Sequence, residues 1–355
     1  MAGSVRTYAF INAKLRARIS KLIPDPLFER MGGARSLVEA LSILADTPYG
    51  ALPLIYEKTG DLKLGELELF KQEVGLYREL EKYLRGEVLD FLRALALRYE
   101  VDTLKNALRL FFDRKIRGRP VEDAVPYIYR EAILNDIPVD ALINADSMEE
   151  ALRALEKTPY HQIVAAGGSS IEEEKSLFGL ELALDRFYYQ NLIQVARQLG
   201  QLDMRITMRL IGVEIDLQNV GWLLRFRSFF ELPLEKILSL LIPGGVNLKQ
   251  DALSEAYASQ NAAGLLQAMV GSTYPGLTSL LSAQASDGHS RLILIERVLE
   301  QIMVYEVRRM LMGNPFTIGI LLAYFILKRN EMKKVQMILN AKQYRIPPER
   351  MKELL

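Results

Sequence analysis

The chain has no cysteine, one tryptophan and two histidines in 355 residues. Without cysteine there is no disulfide, thiolate nucleophile or thiolate metal site, which fits a chain of the reducing cytosol. The histidines, His161 and His289, form no His-x-x-x-His pair, and neither follows a glutamate at the spacing of a helical di-iron site. No metal and no cofactor is therefore expected. No glycine-rich loop ends in lysine and serine or threonine, so the usual phosphate cradle is missing. Nor is there an Asp-Asp-x-x-Asp run to hold magnesium and diphosphate, as a helical prenyl-type synthase would need. An excess of charge is also absent. Lys plus Arg number 45 against 44 Asp plus Glu, a formal charge of +1, which gives no global attraction to nucleic acid or an acidic membrane.

Hydrophobic runs fall short of a membrane span. Residues 310–327 are uncharged, but Gly313, Asn314 and Pro315 break the run and leave Phe316 to Leu327, below the roughly 20 apolar residues required. Residues 256–286 are also uncharged, yet Ser, Gln, Asn and Gly are scattered through them. The first apolar stretch is interrupted by Arg6, Lys14, Arg16 and Arg18, so no signal peptide is expected. A soluble chain is the expectation.

What is present is repetition. Glu214, Ile215, Asp216, Asn219, Val220, Leu224, Arg225 and Arg227 form a central motif. Glu100, Thr103, Leu104, Leu108 and Arg109 stand at the offsets of Asp216, Asn219, Val220, Leu224 and Arg225. So do Glu331, Lys334, Val335, Leu339 and Asn340, with Lys342 opposite Arg227. A second motif keeps the same order: Thr47-Pro48-Tyr49, Thr158-Pro159-Tyr160 and Ser272-Thr273-Tyr274, each closing a helix-like run (Ser36 to Leu44, Ser147 to Leu155, Ala262 to Met269). The repeat of roughly 115 residues is too long for a solenoid turn, so each copy is expected to be a small domain. The division is an N-terminal amphipathic helix over 1–22, then units over 23–120, 121–235 and 236–355.

Apolar residues recur at steps of three and four throughout, and no period-two alternation is long enough for a sheet, so the fold class is all-α. Tyr8, Ile11, Leu15, Ile19 and Leu22 form the stripe of the first helix, whose other face is basic. The spacing predicts long helices through Leu67 to Leu84, with a possible kink at Gly86, through Leu177 to Leu199, and from Arg291 to Leu311. It predicts separate shorter helices on either side of each motif acid: 87–98 before 102–115, one through Leu210 to Glu214 before one starting at Asp216, and 316–328 before 331–342. Asp203 is expected as an N-cap, Asn314 and Pro315 as a cap and first helical residue, and 347–355 as a short final helix.

Glu100, Asp216 and Glu331 are read as first-turn acids that favour helix starts. Gly167, Gly168, Ser169 and Ser170, which could form an anion nest, are read as an interhelical loop. Trp222 and the tyrosines at helical spacing are read as core. The basic residues ending each motif, Arg109 with Lys115, Arg225 with Arg227, and Lys342 with Arg345, are solvated helix ends unless the units surround one axis. In that case Arg225, Arg227, Lys115 and Lys342 would receive a partner's carboxylates.

Three stretches carry a family resemblance: Tyr8, Ala9, Asn12, Ala13, Arg16 and Arg18; Glu214 through Arg227; and Asn314 to Lys342 with Pro315, Phe316, Gly319, Ala323, Tyr324, Lys328 and Glu331. The chain resembles the C-type component of bacterial and archaeal V/A-type rotary ATPases, the counterpart of the d-type component in eukaryotic V-ATPases. The first and last copies depart from it, with Thr103 and Lys334 where the central copy has Asn219. The resemblance implies three similar helical units in a pseudo-threefold funnel, with no catalysis of its own. It implies a rotor subunit on the cytoplasmic face of the membrane, a socket joining the central shaft to the proteolipid ring. Through it, ATP hydrolysis or synthesis would couple to proton or sodium transport. Its partners would be the shaft and the ring, with no nucleic acid and no small-molecule substrate. The alternative is a free-standing helical scaffold for protein–protein interaction.

Overall fold

The computed structural model describes residues 2–174, 176–229, 240–248 and 288–347, with 235, 238, 251, 254–255, 270, 273–274 and 277 between them. Residues 2–6, 168–174, 224–229 and 288–297 are described by backbone alone. The segments 262–269 and 348–355, read above as helices, lie outside the described residues, as do most of 230–239 and Ser272.

Among the described residues every regular element is helical: α1 (Ala2–Ile19), α2 (Asp25–Gly33), α3 (Leu37–Ser42), α4 (Ala51–Thr59), α5 (Leu62–Glu81), α6 (Gly86–Lys115), a 3-10 turn (Val125–Tyr127), α7 (Val139–Asn144), α8 (Met148–Leu155), α9 (His161–Glu174), α10 (Phe178–Ala196), α11 (Gln201–Phe229), α12 (Gly288–Met312) and α13 (Gly319–Gln343). They form two compact bodies. One comprises Pro24–Val195 with Val335–Arg345, the other Met1–Ile23, Ala196–Lys334 and Ile346–Leu355.

In the first body the short helices have local causes. Ser36 accepts the Glu39 N–H, and Glu39 accepts the N–H of Arg35, the residue before the cap, at 2.7 Å, a reciprocal pair that starts α3. Ser147, Glu150 and Asp146 repeat it at α8. After each helix a threonine hydroxyl donates back to a leucine carbonyl, Thr47 to Leu44 at 2.7 Å and Thr158 to Leu155 at 2.8 Å. Each hydroxyl then accepts the N–H of the tyrosine two residues on, which turns Tyr49 and Tyr160 fully inward. Gly60 ends α4 at φ 67°, and Asp61 caps α5 by accepting the Lys63 N–H. The Gly86 position is corrected: it kinks nothing, but takes φ 58° at the turn between α5 and α6.

Gly167–Ser170 are also corrected. They lie inside α9, not in a loop. A Cβ at Gly167 would come within 3.1 Å of Leu180, so the glycine serves close helix packing against α10.

In the second body α1 buries Tyr8, Ile11 and Leu15 at steps of three and four, each contributing about 1.5–3 kcal/mol. Tyr8 donates its hydroxyl to Asp203 at 2.7 Å, and the other Asp203 oxygen accepts the Ile318 N–H at 2.9 Å. Asp203 is thus not an N-cap; α11 already starts at Gln201, and the carboxylate ties α1 to the approach of α13. Asn314 accepts the Phe316 N–H and closes a turn, so Pro315 precedes α13 and is not its first residue. From Ile320 to Ile326 every residue of α13 is buried, which identifies the uncharged run as core. Among the described residues no helix is long and apolar enough to cross a membrane.

The largest correction concerns the motif helices. The two pieces expected on either side of Glu100 are one helix, α6, of 30 residues. Those flanking Asp216 are one helix, α11, of 29 residues, and those flanking Glu331 share α13. No proline or glycine turn separates the pieces, so the hydrogen-bond ladder runs through. The acids are mid-helix, and capping is not their role.

Candidate functional site

A buried carboxylate in the middle of a helix needs donors from outside that helix, because its own backbone N–H groups are already spent. Glu100, Asp216 and Glu331 are 1%, 1% and 5% exposed, and each receives such donors. Glu100 accepts the Leu134 and Asn135 N–H groups at 2.8 and 2.7 Å, the Asn135 side-chain amide at 2.6 Å, and the Tyr160 hydroxyl at 2.6 Å. Burial, then the adjacent Glu100 charge, raises the Tyr160 pKa above the ordinary tyrosine value. Asp216 accepts three consecutive backbone N–H groups, from Val246, Asn247 and Leu248, at 3.1, 2.7 and 3.3 Å. Burial outweighs those three bonds and raises its pKa. Glu331 accepts the Ile23 N–H at 2.6 Å and pairs with Lys328 at 2.9 Å.

The clasp on α11 is the most fully described. Gly212, Asp216 and Asn219 lie on one face at steps of four and three. Asn219 grips Ile242 twice at 2.9 Å, accepting its N–H and donating to its carbonyl. A Cβ at Gly212 would sit 2.5 Å from Val246, and one at Gly245 only 2.0 Å from an Asp216 oxygen. The two glycines let residues 242–248 reach the helix, and Gly244 turns there at φ 107°.

The cations behave differently from one another. Lys342, half-buried, donates to the Gly32 and Ala34 carbonyls at 2.6 Å each, where α2 ends. Desolvation lowers its pKa. Arg114 serves the matching carbonyls of Ile143 and Ala145, where α7 ends. Lys115 pairs with Asp146 at 2.6 Å, in the open, since Asp146 is 78% exposed. Arg109 binds Glu181 at 2.6 Å, and Asn340, at the same motif position, binds Glu66 at 2.7 Å. Arg225 and Arg227 belong to α11, but their side chains lie outside the described residues.

Several groups escaped sequence reading. Glu306, 3% exposed, joins Arg209 through two bonds of 2.9 and 2.6 Å and accepts the Tyr274 hydroxyl at 3.0 Å. Tyr274 therefore meets an acid of α12, whereas Tyr160 meets the motif acid Glu100. Lys105 and Asp185 form a second pair, largely buried. Their only sequence signal is a charge inside an apolar stripe. Trp222 is core, at 4% exposure. Among the described residues no group of three or more His, Asp or Glu side chains is placed to hold a metal ion. The arrangement fastens backbone to helices, and its carboxylates are consumed by that work.

Comparison with known proteins agrees over nearly the whole length. The chain is 25% identical to the C-type component of the A-type ATP synthase of Methanocaldococcus jannaschii, covering 98% of this chain and 86% of that protein. It is 25% identical to the same component of the Methanothermobacter thermautotrophicus enzyme, over 98% and 87%. With that of Thermococcus gammatolerans it shares 26% identity over 98% and 89%. Residues 11–354 match the ATP synthase (C/AC39) subunit family, and the chain belongs to that family.

Proposed function

We propose that this protein is a non-catalytic rotor subunit of an A/V-type ATPase or ATP synthase. It acts as a socket between the central shaft and the membrane proteolipid ring, on the cytoplasmic side of a membrane-bound complex. Rotation passed through it couples ATP hydrolysis or synthesis to proton or sodium movement. The observation that carries this reading is the family match over residues 11–354. Carboxylates committed to holding the fold are consistent with a part that transmits torque. The test is co-purification from membranes with the other ATPase subunits. Recovery of the native protein free of them would favour a free-standing scaffold and defeat the proposal.

Within this reading the chain comprises three related helical units around a pseudo-threefold axis, over 23–120, 121–235 and 236–355. The matched hydrogen bonds of residues 34–49 and 145–160, and the acid at one motif position in all three copies, support it. Arg225, Arg227 and Lys115 are the proposed shaft-facing cations. The Lys115 partner is solvent-exposed and exchangeable, because exposed ion pairs contribute only about 0–1 kcal/mol. Lys342 completes the set by position, although its ammonium already serves two carbonyls. Replacing Arg225 and Arg227 with Glu should weaken shaft binding and flatten its salt dependence. Unchanged affinity and salt slope with an intact fold would return both residues to solvated helix ends.

A further inference from the structure

The central copy of the repeated motif grips its loop with a carboxamide, whereas the first copy has a shorter side chain at that position. Asn219 accepts the Ile242 N–H and donates to the Ile242 carbonyl, both at 2.9 Å. Thr103 stands at the offset of Asn219. It is 5% exposed, and its enclosed hydroxyl oxygen has no hydrogen-bond partner among the described residues. A buried hydroxyl left unpaired keeps the cost of its lost hydration, so in folded proteins such a group nearly always has a partner, often a water.

Counting from the motif acids locates the backbone that corresponds to Ile242. Val246 and Asn247 give their N–H groups to Asp216, and Leu134 and Asn135 give theirs to Glu100. Ile242 lies four residues before Val246, so its counterpart is Arg130, four before Leu134. In the first body a void of about 10 Å³ is lined by both Thr103 and Arg130, beside Glu100, Glu131 and Asn135. Where the central copy has the end of an asparagine, the first copy has space for about one water. The acids in the lining are already committed. Glu100 accepts two donors on each oxygen, the ordinary capacity of a carboxylate. Glu131 accepts from Arg78 at 2.8 Å. A void of this size also has no room for the hydration shell of an ion, which leaves a neutral water as the fitting occupant.

We propose that one ordered water binds in this void and does for Thr103 what the carboxamide does for Asn219. It bridges the Thr103 hydroxyl to the backbone of Arg130, since a water both donates and accepts and so can stand in for an amide. The loop after Arg130 is then held through solvent at the point where the loop after Ile242 is held by a side chain. The water site is independent of the socket reading.

The test is a crystal structure of the full-length protein at a resolution that shows ordered water, together with thermal unfolding of two variants. A water should lie within about 2.7–3.2 Å of both the Thr103 hydroxyl oxygen and a backbone atom of Arg130. Thr103→Val should lower the thermal midpoint by about 2 °C, because the water loses a partner. An orphaned hydroxyl would give the opposite sign, since an apolar isostere relieves it and raises the midpoint. Thr103→Asn should expel the water and set its amide on the Arg130 backbone, with the midpoint level or higher. The proposal is overturned by a dry void, by a water that does not touch Thr103, or by a hydroxyl turned onto the Tyr99 carbonyl one helical turn back. It is equally overturned by a valine variant at least as stable as the parent, or by a water that persists beside the asparagine.

Discussion

Glu100 on α6 and Asp216 on α11 do one job with side chains that differ by a methylene. The longer acid reaches Leu134 and Asn135, and its surplus oxygen capacity takes the Asn135 amide and the Tyr160 hydroxyl. The shorter acid takes three backbone N–H groups and no tyrosine, and the loop must come to it. That approach is possible because Gly212 and Gly245 have no Cβ. The difference shows how two helices can hold a loop in different ways: where the acid is shorter, the backbone that faces it lacks side chains and comes closer. Tyr274, freed from the motif acid, is matched instead with Glu306 and Arg209.

The sharpest way to break this comparison is to put the Cβ back. Gly245→Ala should destabilise by about 3 kcal/mol, because overpacking and stranded N–H groups add. A urea midpoint within error of the parent would refute the close-approach argument. Next in size, Asp216→Asn should cost about 2 kcal/mol, since an amide N–H₂ would replace either the oxygen that accepts from Leu248 or the one that accepts from Val246 and Asn247. Loss of less than half that amount would mean that the loop is held by packing alone. Exchanging the acids, Glu100→Asp and Asp216→Glu, keeps the charge and alters only reach. Each should cost about 1–2 kcal/mol by equilibrium unfolding, and neutrality of either would show that the two clasps tolerate both lengths.

A smaller effect is expected from pH. The Asp216 pKa is raised in the folded chain, so the folded state holds its proton more tightly than the unfolded state does. The stability this adds is fully present below the ordinary aspartate value of about 4 and is lost as pH rises through the folded value. The stability difference between the parent and Asp216→Asn should therefore shift against the parent as pH climbs from about 4. A flat difference would contradict the dominance of burial. The smallest effect is a matched pair: Thr47→Val and Thr158→Val should each cost about 1 kcal/mol. Costs that differ by several-fold would separate the two turns that their hydrogen bonds make equal.

Patterning made the helical class legible, and the Thr-Pro-Tyr triplets marked Tyr49 and Tyr160 as like positions, though not as the fully buried residues that they are. What misled was reading acids by charge alone. An acid at the start of a short helix and an acid in the middle of a long one have the same letters around them. The decision rests with donors 34 or 30 residues away, at Leu134 or Val246, that no local window contains. Nor does the sequence around Gly244 and Gly245 reveal the close backbone approach that fits Asp216. Among the cations the same limit applies. Lys342 resembles a solvated helix end until the Gly32 and Ala34 carbonyls are placed beneath it.

That lysine bears on how the chain is made. The Arg114 contact with Ile143 spans 29 residues, whereas the Lys342 contact with Gly32 spans 310. Loop-closure entropy makes the longer link costlier by about 2 kcal/mol. Ribosomal order adds a stricter condition. Residues 23–34 are made early and wait while some 308 further residues are added before Glu331 can take the Ile23 N–H, and 310 before Lys342 can finish α2. A nascent chain halted before residue 331 therefore carries residues 23–34 without these anchors, which form only once residues 331–342 have been made.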